Sequence, residues 1–417
     1  MHPKDTTQVA FAMCGLPARG KTYIARKVVS YLAWLGHDTR SFNVGNYRRE
    51  QLGSQQPHDF FAPENTDGRA ALHQMALAAL EDMSGYLRGG GEVAVFDATN
   101  STRARRELVS RRFGELGVPL VYIESICGDP AVVEANIRQT KLRSPDYTAM
   151  DADAAVADFK ARIAHYERAY EPIDDPDTSY IKIIDVGRQL VCNRIHGYLP
   201  ARLAPLLLGM HPQPRPIWLV RHGESEFNAQ GLIGGDSPLS PRGRIFAERL
   251  AEFARERGGT AALDVWTSTL QRTLQTAAPL TMRPRSFRAL DEVDAGVCDG
   301  LTYAEIARTM PGEYAARSAD KFRYRYPRGE SYEDIIQRLD PVVIELERQR
   351  RPVLVVAHQA ILRALYVYFM NLPREKCTRL DIPLHTVIEL TPNAYGCDER
   401  RFPLGPELGG RHDSVPP

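Results

Sequence analysis

The sequence predicts two α/β domains in tandem, each built on a mostly parallel sheet. Three observations carry this. Short apolar runs alternate with helical patterns through both halves of the chain, the rhythm of parallel strands joined by crossover helices. The stretch Met210-His211-Pro212-Gln213-Pro214-Arg215-Pro216 crowds prolines where neither a helix interior nor a central strand accepts them, so it reads as a stiff extended linker. The 417 residues are also enough for two or three domains. The boundary is set between residues 212 and 213.

In the first half, strands are expected at Gln8–Met13, Thr39–Val44, Glu92–Phe96, Leu120–Ser125 and Ser179–Ile184. Helices fall between them at about 20–35, 68–88, 102–116, 129–141 and 152–170. Val9–Cys14 resembles the apolar core of a signal peptide, but Asp5 lies in its flank and it runs directly into a glycine-rich loop, so it is assigned as the first strand. In the second half, strands are expected near 217–221, 263–267, 353–357 and 385–390, and helices near 241–257, 270–279, 331–349 and 359–371.

Composition narrows the function classes. Lys plus Arg is 53 and Asp plus Glu is 52, a balance that argues against a general nucleic-acid or membrane-surface binder. No apolar run approaches the roughly 18–20 residues of a membrane span. The six cysteines form no C-x-x-C pair, so neither a disulfide framework nor a zinc ribbon is expected, and a reducing cytoplasm is the simpler setting.

Gly15-Leu16-Pro17-Ala18-Arg19-Gly20-Lys21-Thr22 fits G-x-x-x-x-G-K-[ST], with a strand before and a helix after. In such a loop the glycines let backbone N–H groups converge on phosphates, and the helix N-terminus adds partial positive charge. Lys21 is placed to reach the β/γ-phosphates of ATP and Thr22 to hold Mg²⁺. Asp97 closes the apolar run Val93–Phe96; beside a phosphate loop it is a candidate Mg²⁺ neighbour or a base toward an acceptor hydroxyl. Cations collect near loop or helix-start positions in this half: Arg48, Arg49, Arg103, Arg105, Arg106, Arg138, Lys141, Arg143 and Arg162. A kinase whose acceptor already carries a phosphate needs such groups.

The second half begins a different chemistry. Arg221-His222-Gly223 ends the strand after the linker, His358 ends the run Val353–Ala357, and Arg272 follows Trp266-Thr267-Ser268. Two His and two Arg at carboxyl ends of strands make one cationic bowl, in which His222 is a candidate nucleophile toward phosphorus. No H-x-x-H or carboxylate-rich spacing accompanies them, so no metal or other cofactor is expected here. Asp291, Glu292 and Asp294 are candidate proton donors, and the residues alone do not choose among them.

With both sites placed, the chain resembles the bifunctional 6-phosphofructo-2-kinase/fructose-2,6-bisphosphatase family over about residues 8–398. The motifs are GLPARGKTY, YRRE, VFDATN, IESICGDP, NIRQTKLRSPDY, YIKIIDVG, RHGESEFN, IGGDSPLS, WTS, EVDAGVCDG, YRYPRGESYEDIIQRL, AHQA and PLHTVIELTPNAYGC. The resemblance implies a P-loop NTPase-type kinase domain followed by a histidine phosphatase domain of the phosphoglycerate mutase-like type. It places ATP on Gly15, Leu16, Pro17, Ala18, Arg19, Gly20, Lys21, Thr22 and Tyr23, with Asn136 and Lys141. It places fructose 6-phosphate on Arg48, Thr99, Arg105, Lys141, Arg162 and Tyr166. Asp97 and Cys127 fall on active-site positions of the family. On the phosphatase side it picks His222 as the phosphorylated nucleophile and Glu292 as the proton donor, puts the 2-phosphate on Arg221, Asn228, Arg272 and His358, and puts the remainder of the sugar bisphosphate on Gly234, Tyr303, Arg317, Lys321, Tyr332, Gln359 and Arg363. A homodimer is also implied.

One position departs from the family: Leu72 stands where the sugar-phosphate site carries an Arg, with Arg69 about one helical turn earlier. Two alternatives accompany the bifunctional reading. One is a bisphosphatase with a weakened kinase half; the other is a metabolite-sensing scaffold without turnover.

Overall fold

The computed structural model describes residues 8–54, 56–138, 145–147, 150–211, 213–258, 263–393 and 396–405. The chain forms two compact units, Met1–Pro212 and Gln213–Pro417.

The sheet of the first unit contains β1 (Val9–Cys14), β2 (Thr39–Asn43), β3 (Val93–Asp97), β4 (Leu120–Ile126), β5 (Tyr180–Ile184) and β6 (Gln189–Asn193), in the order β2-β3-β1-β4-β5-β6. All neighbours are parallel except β5 and β6. All six residues of β1 are buried, as expected of a central strand covered on both faces. The chain leaves β1 toward one edge and β4 toward the other, so a crevice opens at the carboxyl ends of the central strands. Ala12 pairs with Phe96, which sets the loop after β1 beside Asp97 at the end of β3. The helix Lys21–Leu35 buries Ile24, Ala25, Val28, Tyr31, Leu32 and Leu35 at three- and four-residue spacing, one apolar stripe against the sheet.

The sheet of the second unit contains β7 (Ile217–Arg221), β8 (Asp264–Thr267), β9 (Arg285–Ser286), β10 (Val353–Ala357), β11 (Thr386–Asn393) and β12 (Gly396–Pro403), in the order β12-β11-β7-β10-β8-β9. The inner strands are parallel, whereas β11 runs antiparallel to both β7 and β12. Ala357 pairs with Arg221, and Val356 with Thr267. The register alone therefore brings His222, His358 and Ser268 to one edge.

Several elements differ from the sequence expectation. The strand expected through Val44 stops at Asn43, whose side chain accepts from the Asn46 N–H and starts the helix Val44–Leu52. Arg48 thus sits on a helix rather than at a loop or helix start. The helix expected over 129–141 is assigned as Pro130–Asn136, and residues 139–144 lie outside the described set. Strands β6 and β12 and the helix Tyr198–Gly209 had not been expected. The described residues on either side of position 212 are each anchored in their own unit. The His211 carbonyl accepts from Tyr23 Oη at 3.3 Å within the first unit, and Arg215 donates to the carbonyls of Leu346 and Glu347 at 2.6 and 3.1 Å within the second.

Candidate active sites

The loop Gly15–Lys21 follows β1 directly. A Cβ at Gly15 would lie 2.4 Å from the Ser125 carbonyl oxygen, and the residue has φ +127°, so only glycine lets the loop pass the end of β4. Ser125 Oγ donates to the Arg19 carbonyl at 2.5 Å, and Arg19 Nε donates to the Cys127 carbonyl at 2.9 Å. Cys127 therefore contributes its backbone oxygen to holding the loop. Asn136 Nδ2 donates to the Ala18 carbonyl at 3.1 Å, which ties this residue to the loop. Lys21 is buried and its Nζ donates to the Leu16 carbonyl at 2.6 Å, so the ammonium is folded over the loop it serves. Thr22 is exposed at the start of the helix, and Tyr23 turns toward the carbonyl of His211. The Thr99 carbonyl accepts from Gly15 N–H at 2.9 Å, tying the segment after Asp97 to the loop. Asp97 is buried and accepts from Asn43 Nδ2.

A second cluster lies on other elements of this unit. Arg162, from the helix Ala152–Arg168, stacks 3.5 Å from the Phe61 ring centroid, and Arg48 lies 5.7 Å from the same centroid. Tyr166 lies 6.2 Å from Phe61, centroid to centroid. The tyrosine also interacts electrostatically with Arg105, whose pKa is lowered mainly by burial. Arg48 donates to Asp146 Oδ2 at 2.6 Å. Burial opposes the charge on Asp146, but Arg48, with Arg49 and Arg162, outweighs it and lowers the carboxyl's pKa. Arg48 Nη1 and Arg162 Nε are buried donors with no hydrogen-bond acceptor among the described residues. Buried donors of this kind call for an acceptor. By contrast, Arg103 pairs with Asp174, Arg138 with Glu134 and Asp153, and Arg106 clamps the carbonyls of Asn100, Glu171 and Pro172; these cations are already engaged by the protein. Lys141 and Arg143 lie outside the described residues. Leu72 is half-buried and Arg69 exposed on the helix Thr66–Arg88.

In the second unit the bowl closes around Arg272. Its Nε donates to His222 Nε2 and His358 Nδ1, each at 3.2 Å, and its Nη1 donates to the Gly235 carbonyl at 2.6 Å. The two imidazoles lie 5.1 Å apart, centroid to centroid. The hydrogen bonds fix both tautomers. His222 Nδ1 lies 2.7 Å from the Gly223 carbonyl, which can only accept, so Nδ1 carries the proton and Nε2 keeps its lone pair. His358 accepts at Nδ1, so its Nε2–H donates to Ser268 Oγ at 2.8 Å. Burial, then Arg272 and Arg221, hold the pKa of His222 well below the ordinary range; burial, then Arg272 and His222, do the same for His358. Both rings are neutral at pH 7.

Arg221 donates to the Ile382 carbonyl at 3.0 Å. Asn228 Oδ1 accepts from Ser225 N–H at 3.1 Å and caps the short helix Glu226–Gln230; its NH₂ group makes no hydrogen bond among the described residues. Gly234 has φ +68°, and a Cβ there would lie 1.5 Å from Asp299 Oδ1. The same Asp299 oxygen accepts from Gly235 N–H at 3.0 Å, so this turn is fixed against the bowl. The three candidate acids separate. Asp291 accepts from both the N–H and the hydroxyl of Thr269, and Asp294 from Gly296 N–H. The Glu292 carboxylate accepts only the N–H of its neighbour Val293 among the described residues, at 2.9 Å, and it interacts electrostatically with Arg272 and Tyr332.

Arg317, Lys321 and Arg363 form a second cationic patch in this unit. Burial, then Arg317 and Arg363, bring the Lys321 pKa down to about 8. Arg317 donates to Tyr303 Oη at 2.8 Å, and Arg363 Nη1 reaches Tyr332 Oη at 3.4 Å. Gln359 is half-buried and begins the helix after His358.

Sequence reasoning missed the supports. Thr276 Oγ1 accepts from Gly223 N–H at 2.9 Å, and Ser268 orients His358; they lie four residues after and four residues before Arg272. Arg338 donates to the carbonyls of Ala289, Asp291 and Glu292 at 2.6, 2.7 and 3.1 Å and pairs with Glu330. It holds the Glu292 loop from a distant helix, and nothing in its local sequence signals this.

A phosphate loop with an adjoining strand-end carboxylate defines a P-loop kinase unit, and a neutral histidine pair around a buried arginine defines a histidine phosphatase unit. Family models agree: "6-phosphofructo-2-kinase" matches residues 1–214, and "Histidine phosphatase superfamily (branch 1)" matches residues 217–403. The chain is 52% identical over 390 residues to the human 6-phosphofructo-2-kinase/fructose-2,6-bisphosphatase 4, covering 92% of this chain and 82% of that protein. It is 48% identical over 416 residues to isoform 3 of Rattus norvegicus, covering 98% and 75%. It is 49% identical over 411 residues to the Arabidopsis thaliana relative, covering 97% of this chain but 55% of that longer protein. The chain belongs to the 6-phosphofructo-2-kinase/fructose-2,6-bisphosphatase family. No helix among the described residues is long and apolar enough to cross a membrane.

Proposed function

We propose that the chain makes and unmakes fructose 2,6-bisphosphate at two sites. In the first unit the γ-phosphoryl of ATP passes to the 2-hydroxyl of fructose 6-phosphate. Gly15–Tyr23, with Asn136 and Lys141, hold the nucleotide, and Lys21 leaves the Leu16 carbonyl to meet the transferring phosphate. Arg48, Thr99, Arg105, Lys141, Arg162 and Tyr166 hold the acceptor; the buried donors on Arg48 and Arg162 that find no acceptor among the described residues suit its 6-phosphate. Asp97 receives or orients the 2-hydroxyl proton. Thr22 and Asp97 are oxygen donors beside the loop, which suits Mg²⁺; when bound, that ion neutralises charge on the phosphates.

In the second unit His222 Nε2 attacks the 2-phosphorus in line with the sugar oxygen. Arg221, Asn228, Arg272 and His358 take the phosphoryl oxygens, where fixed donors stabilise the developing charge. The Gly223 carbonyl, already bonded to Nδ1–H, steadies the positive charge that the ring acquires. Glu292 protonates the departing 2-oxygen and then removes a proton from the water that attacks the phosphohistidine. Gly234, Tyr303, Arg317, Lys321, Tyr332, Gln359 and Arg363 hold the sugar and its 6-phosphate. No cofactor takes part in these steps.

The observation that carries this reading is the Nε of Arg272, held between the two imidazoles. Brief incubation with substrate labelled at the 2-phosphate should leave acid-labile label on the protein, absent from His222→Ala; label on another residue would overturn the mechanism. A second reading, hydrolysis with a weakened kinase, is favoured by Leu72 alone, and an assay of ATP-dependent fructose 2,6-bisphosphate formation separates the two. A cytoplasmic homodimer completes the proposal.

A further inference from the structure

We propose that His58, Asp59 and His165 form a binding site for one divalent transition-metal ion of the Zn²⁺ type, separate from both catalytic centres. His58 and Asp59 open the short turn His58–Phe61, and His165 lies on the helix Ala152–Arg168. The turn is anchored to that helix by the His58 N–H, which donates to Asp158 Oδ1 at 3.3 Å. Three ligand atoms then converge. His58 Nδ1 lies 3.1 Å from His165 Nε2 and 3.0 Å from Asp59 Oδ1, and His165 Nε2 lies 3.7 Å from Asp59 Oδ1. Bonds of about 2.0–2.1 Å to a tetrahedral Zn²⁺ set its ligands about 3.3–3.4 Å apart, so these separations bracket the required edge. Two imidazoles and one carboxylate are also the ligand types a borderline metal prefers.

A second observation points to a cation at the same place. Arg168 Nη2 donates to His165 Nδ1 at 2.7 Å, so the proton of this ring is on Nε2 and His58 Nδ1 must accept it. Asp59 Oδ1 and His58 Nδ1 then face each other at 3.0 Å, two lone-pair atoms with a single N–H between the three groups. A metal ion supplies the missing positive charge. On binding, His165 changes tautomer, from Nε2–H to Nδ1–H, and Arg168 gives up that contact. Its side chain is 52% exposed and already paired with Glu64 at 2.8 Å, so it has somewhere to go. Glu64 interacts electrostatically with His165 and is the natural acceptor for the new Nδ1–H, the usual second partner of a metal-bound imidazole.

The side chains of His165, His58 and Asp59 are 16%, 37% and 76% exposed, so the fourth position opens to solvent. Three residues along from His58, Phe61 carries the stacked Arg162, and Tyr166 follows His165 directly. A bound ion therefore staples together the two segments that hold the cation cluster of the first unit.

The test uses the full chain, stripped with a chelator and titrated calorimetrically with Zn²⁺, with Co²⁺ as the spectroscopic probe. The wild type should bind one equivalent more than either His58→Ala or His165→Ala, or hold that equivalent at least about tenfold more tightly, the loss that even an outer-shell partner of a metal ligand can cause. His73→Ala, an exposed histidine elsewhere on the unit, should bind as the wild type does. Co²⁺ should give visible bands of imidazole coordination that both ligand variants lose, while circular dichroism and thermal unfolding of the metal-free samples, unchanged from the wild type, report that both units are folded. Hydrogen exchange of residues 58–61 should slow with Zn²⁺ in the wild type only. Identical stoichiometry and affinity in the wild type and the two folded ligand variants would overturn the site, whatever the status of the kinase reaction.

Discussion

Arg272 Nε donates to His222 Nε2 across 3.2 Å, and the same N–H lies 3.2 Å from His358 Nδ1. One guanidinium thus fixes the lone pair of the proposed nucleophile in the bowl, while its Nη1 fixes the Gly235 turn. Arg272→Lys keeps the charge but loses the fork that serves three acceptors. Its phosphatase kcat should fall by ~100-fold or more, with the kinase rate unchanged. A loss smaller than about threefold would remove Arg272 from the transition state.

The buried histidine pair should make the fold acid-sensitive. Unfolded, each imidazole takes a proton below about pH 6.5. Folded, burial and Arg272 keep both neutral to much lower pH. The unfolded chain therefore binds more protons in this window, and stability falls as pH drops below about 6.5, by on the order of 1 kcal/mol per pH unit for each ring. Urea unfolding between pH 5 and 7.5 should show a weaker pH dependence in His222→Gln/His358→Gln than in the wild type. Parallel pH curves would mean that the rings are already charged in the folded protein.

Lys321, if it holds the substrate as proposed, should give the phosphatase reaction an alkaline limit. Its pKa of about 8 means that the free enzyme loses this ammonium above that pH. The KM for fructose 2,6-bisphosphate should then rise toward ~10-fold per pH unit, with kcat little changed. Lys321→Arg, which stays charged, should flatten the rise. A KM that climbs equally in both proteins would assign the limit to another group.

What the sequence made legible follows from burial. β1 and β10 are fully buried and read as continuous apolar runs, and the residues after them, Gly15 and His358, were found with them. The edge strand β12, Gly396–Pro403, is mostly exposed and polar; pairing with β11 creates it, not its own pattern. The helix Tyr198–Gly209 contains Pro205, which reads as a break. Only Arg48 is buried on the helix Val44–Leu52, so that helix has no apolar stripe to detect. That Asp291 and Asp294 are engaged by Thr269 and Gly296 while Glu292 accepts only its neighbour's N–H among the described residues was likewise hidden, because it depends on contacts outside the local pattern.

Leu72 tests the kinase half. Arg69 and Leu72 share a face of the helix Thr66–Arg88, three residues apart. Leu72→Arg should lower the kinase KM for fructose 6-phosphate, since one charged phosphate contact is worth on the order of 2 kcal/mol or more. An unchanged or higher KM would mean that Arg69 or another cation already serves the acceptor.

Two opposed reactions should run on two separate sets of residues, and measuring both rates on single preparations of Lys21→Met and His222→Ala tests this most directly. Lys21→Met should lose ATP-dependent formation of fructose 2,6-bisphosphate and keep hydrolysis close to the wild-type rate, and His222→Ala should do the reverse. Equal loss of both activities in either folded variant would contradict the account.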